Sequence, residues 1–286
     1  MGPNSGFEAY SPRDIALRLE EVCVAKAATP LLSLVMLGVL AGGFIGLGSL
    51  FYVIVISDAS LGFAAARVLG GAVFSLGLLL VVVAGAELFT GNNLLAMAWA
   101  HGRITTTEVL VNWVVVCAAN FVGAAGLAAI VFLSGHAEMN DGAIAAAYLK
   151  IAAAKGSLPF WQAFFRGVLC NILVCMAVWM TLAGRSVADK FVAILLPIAA
   201  FVAAGFEHSI ANMYFLPLAM MLQAAGEPVQ FGWLWNNLLP VIAGNIVGGS
   251  VLVALVYYVI YRRPERAAQT GQSSGLTNRN RIERDG

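Results

Sequence analysis

The chain has 286 residues, 60% of them hydrophobic and only 11% charged, with a formal net charge of +1. A soluble domain carries about 25% charged residues, so this composition excludes a soluble globular protein, and the near-zero charge gives no case for a nucleic-acid partner. The four cysteines, Cys23, Cys117, Cys170 and Cys175, lack metal-type spacing and read as buried thiols, so no metal or cofactor is expected.

Taken in chain order, residues 1–28 lack the charged start, short apolar core and small-residue cleavage pattern of a signal peptide. Ser11-Pro12 followed by Asp14 is a helix start. Ile15, Leu19 and Val22 then form an apolar stripe beside Arg18, Glu20 and Glu21, which predicts an interfacial helix over 12–28 within a cytoplasmic segment 1–29. Six apolar segments follow, at roughly 30–56, 62–99, 109–134, 159–183, 191–222 and 233–261. Each is long enough to cross a hydrocarbon core of about 30 Å as a helix, which makes 30–262 a transmembrane domain. Residues 263–286, rich in Arg, Ser, Asn, Gln and Gly, read as a disordered cytoplasmic tail.

The second and fifth segments are too long for simple spans. Polar clusters interrupt them, ELFTGNN at 87–93 and EHSIAN at 207–212. Irregular backbone at membrane depth is tolerated only where protein buries it or water lines it. Both helices are therefore expected to break at the midplane, facing a pathway. Arg13, Arg18, Lys26, Arg103, Arg185, Lys190, Arg262, Arg263 and Arg266 fall on one side, against Arg67, Lys150 and Lys155 on the other. The positive-inside rule then places both termini in the cytoplasm, which suits six spans.

The two halves resemble each other. GAELFTGN (85–92) and GFEHSIAN (205–212) share Gly-x-Glu-x4-Asn, and Asn112, Asn120 and Gly123 recur in spacing as Asn237, Asn245 and Gly248. More weakly, GVL at 38–40 recurs at 167–169. Three spans per half insert with opposite orientation, so the repeats, about 30–134 and 159–261, form the inverted plan of many transporters and channels.

His208 is the one histidine in an apolar segment, since His101 and His136 fall in predicted loops. A lone core histidine usually just satisfies its hydrogen bonds, but at membrane depth ionisable groups mark ion paths and proton relays. Its expected partner is Thr90, from the opposite break. Glu87, Glu207, Asn92 and Asn212 are expected to hold the broken backbone, the glutamates by accepting N–H bonds. Phe74, Leu78, Leu88 and Phe201 read equally as core packing or as hydrophobic constrictions. Lys155, at the start of the fourth span, either snorkels to the interface or draws anions to a mouth. Arg166, inside FWQAFFRG, has no firm account beyond snorkelling or a subunit contact.

The blocks GAELFTGNNLL, AGRSVADKF, GFEHSIANMYFLPLAM and GNIVGG resemble the formate/nitrite transporter family, from about residue 11 to 262. The resemblance implies an all-α, aquaporin-like protomer of six spans within a homopentamer, each protomer with its own pore for small monovalent anions. It also implies a multi-pass protein of a bacterial inner membrane, in contact with lipid. It identifies His208 and Thr90 as the pore site, with Asn171 and Asn212 nearby. The family's constriction residues fall on Phe74, Leu78 and Leu88 on one side, and on Phe201 with Val174 on the other. Lys155 matches an outer-vestibule lysine.

A bare carboxylate entering low dielectric costs several kcal/mol even after relaxation. Protonating an acid of pKa about 3.7 at pH 7 costs roughly 4–5 kcal/mol. Passage as the neutral acid, with His208 sharing a proton, is therefore the expected mechanism. Formate leads, with nitrite or hydrosulfide as alternatives from the same family. A neutral-solute channel would share the inverted repeat, but aquaporins carry Asn-Pro-Ala at both breaks and neither break here does. An intramembrane enzyme is disfavoured, because EHSIAN lacks the second His of a metalloprotease helix and Ser209 beside His208 points to a different helix face.

Overall fold

In the computed structural model, which describes residues 9–224 and 229–263, the chain is built almost wholly of helices. Arg263 apart, the tail expected over 263–286 lies outside the described residues. The first half holds α1 (Pro12–Ala27), α2 (Leu31–Ile56), α3 (Phe63–Gly85), α4 (Phe89–Asn92), α5 (Leu95–His101) and α6 (Thr106–Leu133). The second holds α7 (Ala143–Gly156), α8 (Phe160–Thr181), α9 (Val187–Ala204), α10 (Ser209–Ala224) and α11 (Gly232–Arg262). Six of these, α2, α3, α6, α8, α9 and α11, are long and apolar enough to cross a membrane, so the chain is an all-α, multi-pass membrane protein.

Each half stops a spanning helix in the same way. α3 ends at Gly85 (φ +82°) and α9 at Gly205 (φ +75°), left-handed positions that glycine reaches without a Cβ penalty. Three non-helical residues follow each, 86–88 and 206–208, before α4 and α10 restart the helix. The last turn of α3, Val81–Gly85, is already widened to π-helical form.

The close packing is repeated as well. α2 lies along α6, and α8 along α11. A Cβ at Gly123 would overlap the Val39 carbonyl, and one at Gly248 the Val168 carbonyl, so both glycines are needed for backbones to approach this closely. α3 and α9 pack on each other and join the halves.

α1 begins as the sequence dictates, with Ser11 Oγ accepting from the Asp14 N–H at 3.3 Å and Pro12 at the first helical position. Its buried face matches the expected apolar stripe only in part. The buried face is Ile15, Ala16, Leu19, Glu20 and Cys23, while Val22 of the expected stripe is exposed. The reason is a docking contact with protein. Glu20 is buried, and its carboxylate meets His101 Nδ1 at 2.6 Å, Arg103 Nη1 at 2.8 Å and Arg262 Nε at 2.8 Å. His101, expected in a loop, instead closes α5 and helps clamp α1.

Burial alone would raise the Glu20 pKa, but hydrogen bonds from Arg262, His101 and Arg103 outweigh it and hold the carboxyl below its ordinary 4.5. A depressed carboxyl contributes its stability fully above pH 4.5, and that contribution is lost as pH falls through the lower, folded-state value. The Glu20 contribution to docking of α1 should therefore be full above about pH 4.5 and fall away only below it. Limited proteolysis at Arg18 and Lys26 would report this, and Arg262→Ala should expose both bonds already at pH 7.

Candidate functional site

The two breaks face each other between α3 and α9, and each is held by an asparagine from a neighbouring helix. In the first, Asn120 Oδ1 accepts the Phe89 N–H at 2.9 Å, while its Nδ2 donates to the carbonyls of Gly38 (2.7 Å) and Glu87 (2.9 Å). In the second, Asn245 Oδ1 accepts the Ser209 N–H at 3.0 Å, and its Nδ2 donates to the carbonyls of Gly167 (2.8 Å) and Glu207 (3.1 Å). The Phe89 and Ser209 N–H groups and the Glu87 and Glu207 carbonyls lie at half-helix ends with no partner in their own helix, and the asparagines satisfy them, tied also to the carbonyls of Gly38 inside α2 and Gly167 inside α8. A neighbouring helix adds one main-chain bond to each loop, from Glu87 N–H to the Leu37 carbonyl and from Glu207 N–H to the Arg166 carbonyl, both 3.2 Å.

The glutamates do a different job from the one expected. Their carboxylates accept from side chains, not from backbone N–H groups, because the asparagines already occupy the backbone. Glu87 accepts from Lys26 Nζ and Asn92 Nδ2, each at 2.7 Å. Glu207 accepts from Lys155 Nζ at 3.0 Å on both oxygens, from Asn212 Nδ2 at 2.7 Å and from Asn237 Nδ2 at 3.2 Å. Asn92 and Asn212 in turn donate to Asn112 and Asn237. Lys155 ends α7 instead of beginning the fourth span, and its charge is matched by Glu207. Lys26, at the end of α1, is its twin.

Sequence reasoning missed Lys26 and the repeat of α1 in α7. The signal was present: Ala25-Lys26-x3-Pro30 recurs as Ala154-Lys155-x3-Pro159. Asn120 and Asn245 served only as repeat markers there, although they hold both loops.

Thr90 and His208 come together, with Oγ1 and Nε2 3.1 Å apart and both residues buried. The other ring nitrogen decides the tautomer. His208 caps α10, its Nδ1 accepting the Ala211 N–H at 3.1 Å. Nδ1 therefore holds a lone pair, and a neutral ring carries its proton on Nε2, aimed at Thr90 Oγ1. The Thr90 hydroxyl hydrogen is left free to donate. Asn171 fixes Thr90 from behind, its Nδ2 donating to the Thr90 carbonyl at 3.2 Å and also to Asn93 Oδ1 and the Asn245 carbonyl.

Two cavities approach this pair from opposite ends of α3 and α9. One, of about 220 Å³, is lined by Arg67 near the start of α3, Lys155, Arg166, Phe74, Phe201 and His208. The other, of about 370 Å³, is lined by Lys26, Gly85, Leu78, Leu88 and Lys190 at the start of α9. Buried apolar side chains close both ends. Phe74 and Phe201 meet edge to face at 5.7 Å, and Phe201 stacks on His208 at 5.8 Å. Phe74 therefore belongs with Phe201 on the Lys155 side, not with Leu78 and Leu88, because it lies a turn earlier on α3 than Leu78. Val174 is buried and lines neither cavity, as is Asn212, which bonds only within the Glu207 cluster.

The family profile described as "Formate/nitrite transporter" matches residues 13–259. The chain belongs to the formate/nitrite transporter family. It is 38% identical over 280 residues to the "Formate channel FocA" of Escherichia coli (strain K12), covering 92% of this chain and 98% of that one. The "Formate channel FocB" of the same strain is 35% identical over 86% of this chain and 93% of its own. Among solved structures, one described as "Pentameric formate channel with formate bound" aligns with TM-score 0.75 at 38% identity, over 81% of this chain and 97% of that chain. An "FNT family ion channel" aligns with TM-score 0.78 at 29% identity, over 86% and 98%. Membership of this family makes the chain a membrane transporter rather than an enzyme.

Proposed function

We propose that this family member is a homopentameric channel for small monovalent anions, formate first, in a bacterial inner membrane, with both termini cytoplasmic and one pore per protomer. Each half-helix break, with the Thr90–His208 pair, would then lie near the midplane, and Lys155 would face outside. The observation that carries the reading is the 3.1 Å contact of Thr90 with His208 between two cavities closed by apolar side chains. The pentameric, formate-bound relative supports both the assembly and the substrate. The orientation draws support from Glu20, which ties α1, α5 and the end of α11 to one side with most of the basic residues.

In this reading the anion enters a cavity, loses water, and accepts the free Thr90 hydroxyl hydrogen. It crosses the Phe74/Phe201 and Leu78/Leu88 closures as the neutral acid. A proton reaches Nδ1, the Nε2 proton passes to Thr90 Oγ1, and the Thr90 hydroxyl proton passes to a formate oxygen, giving formic acid. Protonating Nδ1 displaces the Ala211 N–H, a capping bond worth about 0.5–2 kcal/mol. That is small beside the roughly 4–5 kcal/mol needed to protonate formate at pH 7. The Ala211 bond also favours a second reading, in which Nε2–H stays put and His208 acts as a hydrogen-bonding post for an anion that crosses without a proton.

Purified protein in liposomes with an internal pH dye separates the two. Formate added outside should acidify the interior under proton sharing, with nitrite weaker. Anion current with no pH signal would select the post. No flux of any small anion would overturn the channel itself. Replacing a constriction ring should loosen selection: Phe201→Ala is expected to raise flux of larger monocarboxylates such as acetate several-fold relative to formate, read in the same liposomes.

A further inference from the structure

The structural frame leaves one charge unexplained. The Lys155-side cavity is lined by three cations, Arg67, Lys155 and Arg166, and one carboxylate, Glu207. Lys155 is spent on Glu207. Arg67 is a clasp, its guanidinium donating to the Ala203 carbonyl at 2.9 Å, the Val202 carbonyl at 2.8 Å and Tyr52 Oη at 3.1 Å, beside the turn at Gly205. Glu207 is already engaged by Lys155, Asn212 and Asn237, and no bond joins it to Arg166. Among the described residues no hydrogen bond or ion pair engages the Arg166 guanidinium. Its backbone carbonyl alone is used, by the Glu207 N–H.

The repeat says whether the frame requires a charge there. Leu37 is the twin of Arg166: its carbonyl accepts the Glu87 N–H as Arg166's accepts the Glu207 N–H, and it too lines its own cavity. The same architectural position is thus filled by an apolar residue on one side and by a free guanidinium on the other. A half-buried arginine with no partner, set in an apolar span, costs desolvation that the frame does not return.

We infer that Arg166 is an anion-recognition residue of the Lys155-side cavity, which takes a small planar oxyanion through two parallel N–H···O bonds before it reaches Thr90 and His208. The inference rests on the channel reading above and adds a selective step to it. A guanidinium fork matches the two oxygens of formate or nitrite, whereas hydrosulfide or chloride, with one acceptor atom, cannot form the two parallel bonds. Arg166 therefore sets preference at capture, and the buried pair governs passage.

The test uses the full-length protein with Arg166→Leu, the residue of its twin, and Arg166→Lys, which keeps the charge without the fork. In liposomes Arg166→Leu should raise the half-saturating formate concentration roughly five- to tenfold, with the saturated rate nearly kept. Hydrosulfide should shift much less, and Arg166→Lys should recover hydrosulfide capture better than formate capture. Unchanged half-saturation for formate, or equal shifts for formate and hydrosulfide, would overturn the inference while leaving the channel reading intact. If the wild-type protein passes no anion, the channel reading fails by itself. Formate-induced thermal stabilisation of the detergent-solubilised protein then decides the site. Loss of that stabilisation in Arg166→Leu supports it, and its retention in Arg166→Leu or its absence in wild type overturns it.

Discussion

Liposomes carrying His208→Asn should show formate-driven internal acidification at least tenfold slower than wild type, with the protein still folded and assembled. Asparagine is chosen because it separates the two tasks of this residue. A good N-cap, it can accept the Ala211 N–H in place of Nδ1, so α10 keeps its start. It has no titratable nitrogen to pass a proton to Thr90, and it is too short to hold the 3.1 Å contact. Size-exclusion chromatography of the solubilised variant checks the first statement, and the pH dye checks the second. An acidification rate and pH dependence equal to wild type would sink proton sharing through His208. Anion current that falls in the variant, with no pH signal in either protein, would instead support the post.

The second large effect is on the frame. Asn245→Leu removes the partner of the Ser209 N–H and of the Glu207 carbonyl, both buried at the second break, and a bond to the Gly167 carbonyl of α8. Each buried group left unpaired costs about 1–3 kcal/mol, so the loss should reach several kcal/mol. The expected outcome is a large drop in the thermal midpoint of the solubilised protein, or no recoverable assembly at all. Asn120→Leu should behave alike, since it strips the same three kinds of bond from the first break. A wild-type midpoint in either variant would remove the asparagines from their role in holding the loops.

The six spans were legible because long apolar runs have few other uses, and the breaks because ELFTGNN and EHSIAN are polar where nothing polar is cheap. The pairing of Thr90 with His208 was legible from the same cost. What stayed hidden depends on which partner gets there first. Glu87 and Glu207 look like backbone acceptors in isolation, yet Asn120 and Asn245 reach the backbone and leave the carboxylates to Lys26 and Lys155. Nothing in the local sequence of an asparagine 30 residues away announces this. Phe74 and Leu78 look like one constriction because they are neighbours on α3, but a helix turn carries them to different cavities. The docking of α1 was invisible for a related reason: Glu20 is an ordinary surface residue until Arg262, at the far end of the chain, arrives beside it.

Because the asparagines, glycines and lysines that hold one break have twins at the other, the molecule contains its own control experiment. Asn120 and Asn245, Gly123 and Gly248, and Lys26 and Lys155 sit in equivalent surroundings, and paired variants should be damaged to the same degree. Leu88 and His208 are equivalent by position but not by kind, and so are Leu37 and Arg166. At these positions the frame is built in one half without the polar group that the other half carries, so the proposed transport roles are where such twins should part.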